Sequence, residues 1–390
     1  MRAILRHVAF APLLIALSYQ RAPRLAPVEL GRDPLEPRII VTGGAGYLGS
    51  ALTRLLLGRG YRVCVLDAEL FGSGLSDLAQ EERLEVIRGD VRSIADLSRA
   101  FRSAEAVIHL AAIVGDAACQ VDPDVTWTTN LQATKLVVEA CRHYAIPRLL
   151  FASTCSVYGA SDDLLLNEGS ILQPVSLYAQ TRIDSELVCL GANGPAFTTS
   201  CLRMATLYGL SARMRYDLVV NIMAARAVRE GIVTVFGGAQ WRPLVHVADA
   251  AAAFVLALEA PAELVGGEVF NVGSNEQNFR IREVGETIAR VFGVDIETRP
   301  PSADDLRNYR VSFDKAAHYL DFVTHRTVED ASREIGDFLK GHPEIDHRDE
   351  RYLNHRFPYA IDPAILPSHR PRLRSVDDLD DVPIRRAPTT

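Results

Sequence analysis

The chain has 390 residues, of which 48% are hydrophobic and 23% charged. This composition excludes a wholly disordered chain, and the length calls for two lobes or one large α/β domain with additions. A formal net charge of −7, with 42 Lys and Arg against 49 Asp and Glu, argues against a protein that holds nucleic acid by bulk charge.

Residues 1–36 precede the first convincing strand and read as an N-terminal extension. Their apolar run, Val8 to Tyr19, resembles the short core of a signal peptide, but Pro12 interrupts it. It is shorter than the roughly 20 apolar residues of a spanning helix, so no membrane association is expected. From Arg38 strand and helix patterns alternate. Strand-like runs cover 38–42, 61–67, 84–90, 106–112 and 147–153, with helices over Tyr47–Gly58 and Val121–Tyr144. Short apolar strands alternating with amphipathic helices predict a parallel sheet buried on both faces, here a Rossmann-type doubly wound α/β domain over 37–200.

Beyond residue 200 the rhythm loosens. Strands at 234–238 and 269–273 alternate with helices near 217–230, 246–259 and 281–292. This predicts a smaller α/β substrate lobe over 201–340, with some strands returning to the main sheet. Residues 341–390 hold seven of the twenty prolines and four of the ten histidines, and read as a tail that is extended or wrapped on the surface. His342, His347 and His355 share no helical face, and the six cysteines (Cys64, Cys119, Cys141, Cys155, Cys189, Cys201) form no CxxC pair. No metal site is expected, and scattered single cysteines fit a reducing compartment, the cytoplasm.

The first strand runs directly into Thr42-Gly43-Gly44-Ala45-Gly46-Tyr47-Leu48-Gly49 and then a helix. Gly43 allows a tight turn, Gly46 lets the backbone approach a pyrophosphate, and Gly49 brings helix and sheet together. Asp67 ends the second strand, 18 residues past Gly49, where an acid accepts the ribose hydroxyls of an adenine dinucleotide. It would repel a 2′-phosphate, and Arg62 and Arg88 read as too far from the strand tip to reverse that. The expected cofactor is NAD.

Further motifs follow in order: Gly89-Asp90-Val91, His109-Leu110-Ala111-Ala112, Asn130, Ser153-Thr154-Cys155-Ser156-Val157-Tyr158-Gly159, Tyr178-Ala179-Gln180-Thr181-Arg182, Arg203 through Tyr208-Gly209, Trp241-Arg242, and Phe270-Asn271-Val272-Gly273. Over about residues 38–325 this ordered set resembles the extended short-chain dehydrogenase/reductase family, in particular its nucleotide-sugar epimerases and dehydratases. The resemblance implies a cofactor surface made of Tyr47, Leu48, Asp90, Val91, Leu110, Ala111, Ala112, Asn130, Ser153, Tyr178 and Arg182. It implies a nucleotide-diphosphate sugar as substrate and a homodimer paired through helices near 121–144 and 178–190.

Tyr178 and Arg182 are four residues apart in a helical stretch and share one face. A phenol is a poor base at neutral pH, and a nearby cation favours the phenolate. Tyr178 is therefore the expected base, taking a proton from a sugar hydroxyl as hydride leaves the same carbon. The family places lysine where Arg182 stands. Arginine keeps the charge but carries a rigid fork of donors. Thr154 matches the family's Ser/Thr position, which relays the proton. The next two positions are Asp-Glu in dehydratases of the family, and the decarboxylases usually carry Glu at the second; here they are Cys155 and Ser156, expected to line the pocket. Arg242 matches the arginine that pairs with the substrate's diphosphate, with Asn221 and Arg307 as companions by position and Arg213 and Arg215 nearby.

These residues point to an NAD-dependent nucleotide-sugar epimerase, acting at C4 through a transient ketone. A sugar or specialised-metabolite reductase of the same family, using NAD or NADP, is the alternative. A nucleotide-binding relative without turnover is another, motivated by Arg182.

Overall fold

The computed structural model describes residues 38–301 and 307–356, without the side chains of 162–164. The extension at 1–36 and most of the Pro-rich tail, from 357 on, lie outside the described residues. All described residues belong to one compact unit.

Strands β1 (Arg38–Thr42), β2 (Arg62–Asp67) and β3 (Leu84–Arg88) are joined through α1 (Tyr47–Gly58) and a loop, and α2 (Ile94–Ala100) leads to β4 (Ala104–His109). In β1 the alternation is visible in packing. Ile39 and Val41 join the core on one face of the sheet and Ile40 the core on the other. A strand buried on both faces needs no polar residue between its ends, which is why RIIVT is apolar or β-branched after Arg38.

The long helix expected over 121–144 is instead four pieces. These are α3 (Asp116–Val121), α4 (Pro123–Trp127), a π-helical turn (Thr128–Gln132) and α5 (Ala133–His143). The first break has a local cause. Asp122 leaves helical geometry and its carboxylate caps Val125 N at 3.0 Å, while Pro123 fits the first turn of a new helix but cannot continue the old one. The π turn bulges at Asn130, and such bulges are frequent at functional sites.

Next come β5 (Arg148–Thr154), β6 (Ala160–Leu166), α6 (Leu177–Ala192), β7 (Thr198–Met204) and β8 (Thr206–Tyr208). The second half contributes α7 (Val219–Glu230), β9 (Ile232–Phe236), β10 (Trp241–His246), α8 (Val247–Glu259), α9 (Ala262–Val265) and β11 (Glu268–Val272). It ends with β12 (Asn278–Arg280), α10 (Ile281–Phe292), β13 (Asp295–Arg299), β14 (Asn308–Val311), α11 (Asp314–Leu320) and α12 (Val328–Gly341). The central sheet has seven strands, all parallel, in the order β11-β7-β5-β4-β1-β2-β3. The order reverses between β1 and β4, and a ligand crevice opens at the carboxyl ends of strands on either side of such a switch point. Strand β11 returns from the second half to close one edge. Three small sheets lie beyond it, β12-β10-β8, β13-β9 and β14-β6.

The segment after α12 is held against the body. His347 and Leu353 are buried, Tyr216 N donates to Tyr352 O at 3.1 Å, and Asn354 Oδ1 accepts from Arg213 at 2.7 Å. Residues 342–356 are thus an ordered strap. His347 Nε2 lies 3.3 Å from Glu230 and its Nδ1 3.9 Å from Asp346, so the two carboxylates face opposite ring nitrogens. Among the described residues no group of three or more His, Cys, Asp or Glu side chains is arranged to hold a metal.

Candidate active site

The turn after β1 is built for close approach. Gly43 has φ +74°, and a Cβ there would meet Ala111 N at 2.7 Å. At Gly49 a Cβ would fall 2.1 Å from Gly43 O. Gly46, in contrast, has only Gly43 O within reach, at 3.3 Å, so its bare face is the open side of the turn. Helix α1 starts there with no side-chain cap and no acid in its first turn. Its free N–H groups and positive dipole end suit a diphosphate. Tyr47 and Leu48 are buried at the start of α1, and the Tyr47 hydroxyl donates to Gly209 O at 2.6 Å.

Asp67 takes backbone N–H bonds from Ala45 at 2.9 Å and Glu69 at 2.7 Å. Burial raises its pKa, and those two bonds pull it back. Arg88 stands level with Asp67 in the β2–β3 register and not away from the strand tip, contrary to the sequence expectation. Asp90 is engaged by Arg92, and Val91 is buried.

The tip of β4 is fixed by a hydrogen-bond chain through His109. Thr134 Oγ1 donates to Asn130 O at 2.6 Å, so it accepts from His109 Nε2 at 3.1 Å. The Thr42 hydroxyl then donates to Nδ1 at 2.7 Å, and its oxygen accepts Ala111 N at 3.3 Å. Burial, and secondarily the Arg182 charge, pushes the His109 pKa down to about 3. His109 is a neutral bracket for Leu110, Ala111 and Ala112. The unfolded chain takes up a proton below the ordinary value of 6.5 and the folded chain does not, so stability falls as pH drops from 6.5 towards 3. His109→Gln is expected to flatten that dependence by up to about 1.4 kcal/mol per pH unit, read from urea unfolding at a series of pH values.

Asn130 is fully buried and its side chain is wholly used by the protein. Its oxygen accepts Ile113 N at 2.8 Å, and its amide donates to Ile113 O at 3.0 Å and Thr181 Oγ1 at 3.2 Å. It ties the loop after β4 to α6 instead of presenting a free group to a cofactor.

Helix α6 carries Tyr178 and Arg182 as expected. Arg182 is buried, with its guanidinium carbon 5.3 Å from the Tyr178 ring centre and 5.4 Å from that of Phe151. One nitrogen donates to Ala152 O at 3.4 Å, and Nε has no partner. The Tyr178 pKa departs from the sequence expectation. Burial raises it more than Arg182 lowers it, with Cys119 and Asp116 adding to the rise and Arg215 opposing it. One cation is not enough to make this phenol acidic in the free protein.

At the end of β5, Thr154 accepts Ser156 N at 3.1 Å and donates to Ser156 Oγ at 3.1 Å. Ser156 lies 3.5 Å from the Tyr309 hydroxyl, and Tyr309 sits under the Arg242 guanidinium at 5.9 Å. Arg242 also donates to the carbonyls of Trp241 and Arg307. Thus Thr154, Ser156 and Arg242 are brought together, with Tyr309 joining them. Tyr309 was not among the residues expected at the site. An aromatic in the alternating run NYRV beside Arg307 was the available signal.

Three residues are placed differently. Cys155 is fully buried in the core, its thiol donating to Arg203 O at 3.3 Å and its pKa raised by burial, so it does not line the pocket. Ser153 donates to Glu186 at 2.5 Å, within a buried ion pair of Glu186 with Arg203. Asn221 spends its side chain on Gly209 N, Tyr47 Oη and Arg215 O. It buttresses the glycine turn from behind. Arg215 forms a two-nitrogen pair with Asp217, and Arg307 pairs with Asp116 at 3.2 Å.

An uncapped helix start behind a glycine turn, an acid at the tip of β2 and a tyrosine–cation pair beside β5 define a dinucleotide-dependent redox fold. The chain belongs to the NAD dependent epimerase/dehydratase family, which matches residues 39–273, and is an extended short-chain dehydrogenase/reductase of the nucleotide-sugar type. It is 28% identical over 319 residues to UDP-glucose 4-epimerase of Corynebacterium glutamicum, covering 75% of this chain and 94% of that one. It is 29% identical over 325 residues to UDP-glucuronic acid decarboxylase 1 of Arabidopsis thaliana, covering 80% and 72%. Among solved structures it is similar to UDP-glucuronic acid 4-epimerase from Bacillus cereus in complex with UDP-glucuronic acid and NAD. The TM-score is 0.71 at 26% identity, covering 78% of this chain and 99% of that one.

The cofactor is NAD. The residues fit it: the open face of Gly46 and the uncapped α1 suit its diphosphate, and the orphaned Arg182 Nε is a buried donor awaiting an acceptor. No helix among the described residues is long and apolar enough to cross a membrane.

Proposed function

We propose that the chain is a nucleotide-sugar 4-epimerase. The observation that carries this reading is the buried Arg182 guanidinium over the Tyr178 ring, next to a strand end where Thr154 is followed by Cys155 and Ser156 in place of a carboxylate pair. NAD, when bound, would supply the acceptor and donor of the sugar carbon's hydride, and its positive charge would oppose the rise that burial gives the Tyr178 pKa. Tyr178 takes the proton of the C4 hydroxyl and later gives it back, so the alcohol becomes a ketone and then an alcohol of either configuration, with no net redox change. Thr154 relays that proton, and Arg182 holds the phenol's charge. Arg242 and Arg307 bind the diphosphate. With Cys155 in the core and Ser156 bonded to Thr154, these two positions supply no carboxyl acid and base for water elimination.

A homodimer through α5 and α6 is supported by their adjacent outer faces, which form a groove with Leu187 65% exposed. Six free, buried cysteines support a cytoplasmic location. The test is a panel of nucleotide sugars incubated with the full chain without added reductant, followed by NMR. A 4-epimer of UDP-glucose or UDP-glucuronic acid is expected; reaction only with added NADH would replace this reading by a net reductase.

A further inference from the structure

Asp116 begins α3, in the segment that follows β4, and links the start of α6 to Arg307, just before β14. Its Oδ1 accepts the Ser176 hydroxyl at 2.6 Å, and its Oδ2 pairs with Arg307 Nε at 3.2 Å. Ser176 is the cap of α6, taking Ala179 N at 3.2 Å, two residues before Tyr178. Arg307 in turn presents its carbonyl to Arg242. Both carboxylate oxygens are therefore spent, one on the helix that carries the base and one on the Arg307 cation. The pair is partly screened, at 17% and 27% side-chain exposure.

We propose that Asp116 is a positioning residue that holds Arg307 in place of the substrate's diphosphate and, through Ser176, sets the start of the helix carrying Tyr178. This rests on the reading of Arg307 as a diphosphate ligand. A diphosphate offers a guanidinium more charge and more acceptors than one carboxylate, so it displaces Asp116, whereas an uncharged sugar does not. Asp116 thereby selects for ligands that carry the diphosphate. It also lowers their affinity, because Arg307 must first be released.

The test is calorimetric binding of UDP to the full chain, together with turnover of UDP-glucose. Asp116→Asn and Asp116→Ala are each expected to tighten UDP binding by about threefold to fivefold, the range for a partly exposed ion pair. Arg307→Met weakens UDP binding, and adding Asp116→Asn to it brings no further gain. Catalysis divides the two variants: kcat falls by about tenfold in Asp116→Ala and is largely restored in Asp116→Asn, whose amide oxygen still accepts from Ser176. Unchanged or weaker UDP binding in Asp116→Asn, while Arg307→Met still weakens it, overturns the role of Asp116 alone. If Arg307→Met binds UDP as the wild type does, the diphosphate reading of Arg307 falls and this inference falls with it.

Discussion

Tyr178→Phe is expected to lower kcat by about a thousandfold while NAD stays bound, because a positioned acid–base group contributes on the order of 10²–10⁴. The substitution removes only the hydroxyl. The ring that faces the Arg182 guanidinium at 5.3 Å remains, and so does the packing of α6. Thr154 cannot take over as the base, since its aliphatic hydroxyl is a far weaker acid than a phenol and can only pass a proton on. The free protein holds the Tyr178 proton tightly, because burial outweighs the help from Arg182 and Arg215. Activity should therefore rise with pH over a range that moves when either cation is removed. Steady-state rates and the cofactor content of the purified variant check both parts. A variant within tenfold of wild type would assign the base elsewhere.

The second large effect concerns Arg182. Arg182→Met is expected to cost about a thousandfold in kcat, since it removes the cation that stabilises the phenolate. Arg182→Lys is the sharper comparison because lysine is the family's usual residue. Here the planar guanidinium lies between the Phe151 and Tyr178 rings, at 5.4 and 5.3 Å, and reaches Ala152 O. A lysine ammonium is a point charge without a face to stack and cannot reproduce that arrangement. We expect a loss of about tenfold, with weaker NAD binding measured by fluorescence titration. A gain in activity would mean that arginine marks a degraded site.

Much of the cofactor side was legible because its signals are local. A β-branched run, a glycine turn and a helix without an acidic start are adjacent in the chain, and Asp67 follows at the end of the next strand. The α6 spacing of Tyr178 and Arg182 was equally direct. The misplacements have nonlocal causes. Asn221 looked free to meet a substrate, but its partners Tyr47 and Gly209 are 174 and 12 positions away. Asn130 is absorbed by a π turn that no periodicity announced. Cys155 follows the strand, where the chain turns into a 3₁₀ segment and points its thiol inward. The Tyr178 pKa needed a quantity the sequence does not carry, the depth at which the phenol is buried.

The most direct measurement uses UDP-glucose carrying deuterium at C4, incubated with the full chain without added reductant. Oxidation and return at a single carbon predict the 4-epimer with deuterium still on C4, seen by NMR. An epimer with solvent hydrogen at C4, or no epimer from a protein that has NAD bound and Tyr178 intact, would contradict it.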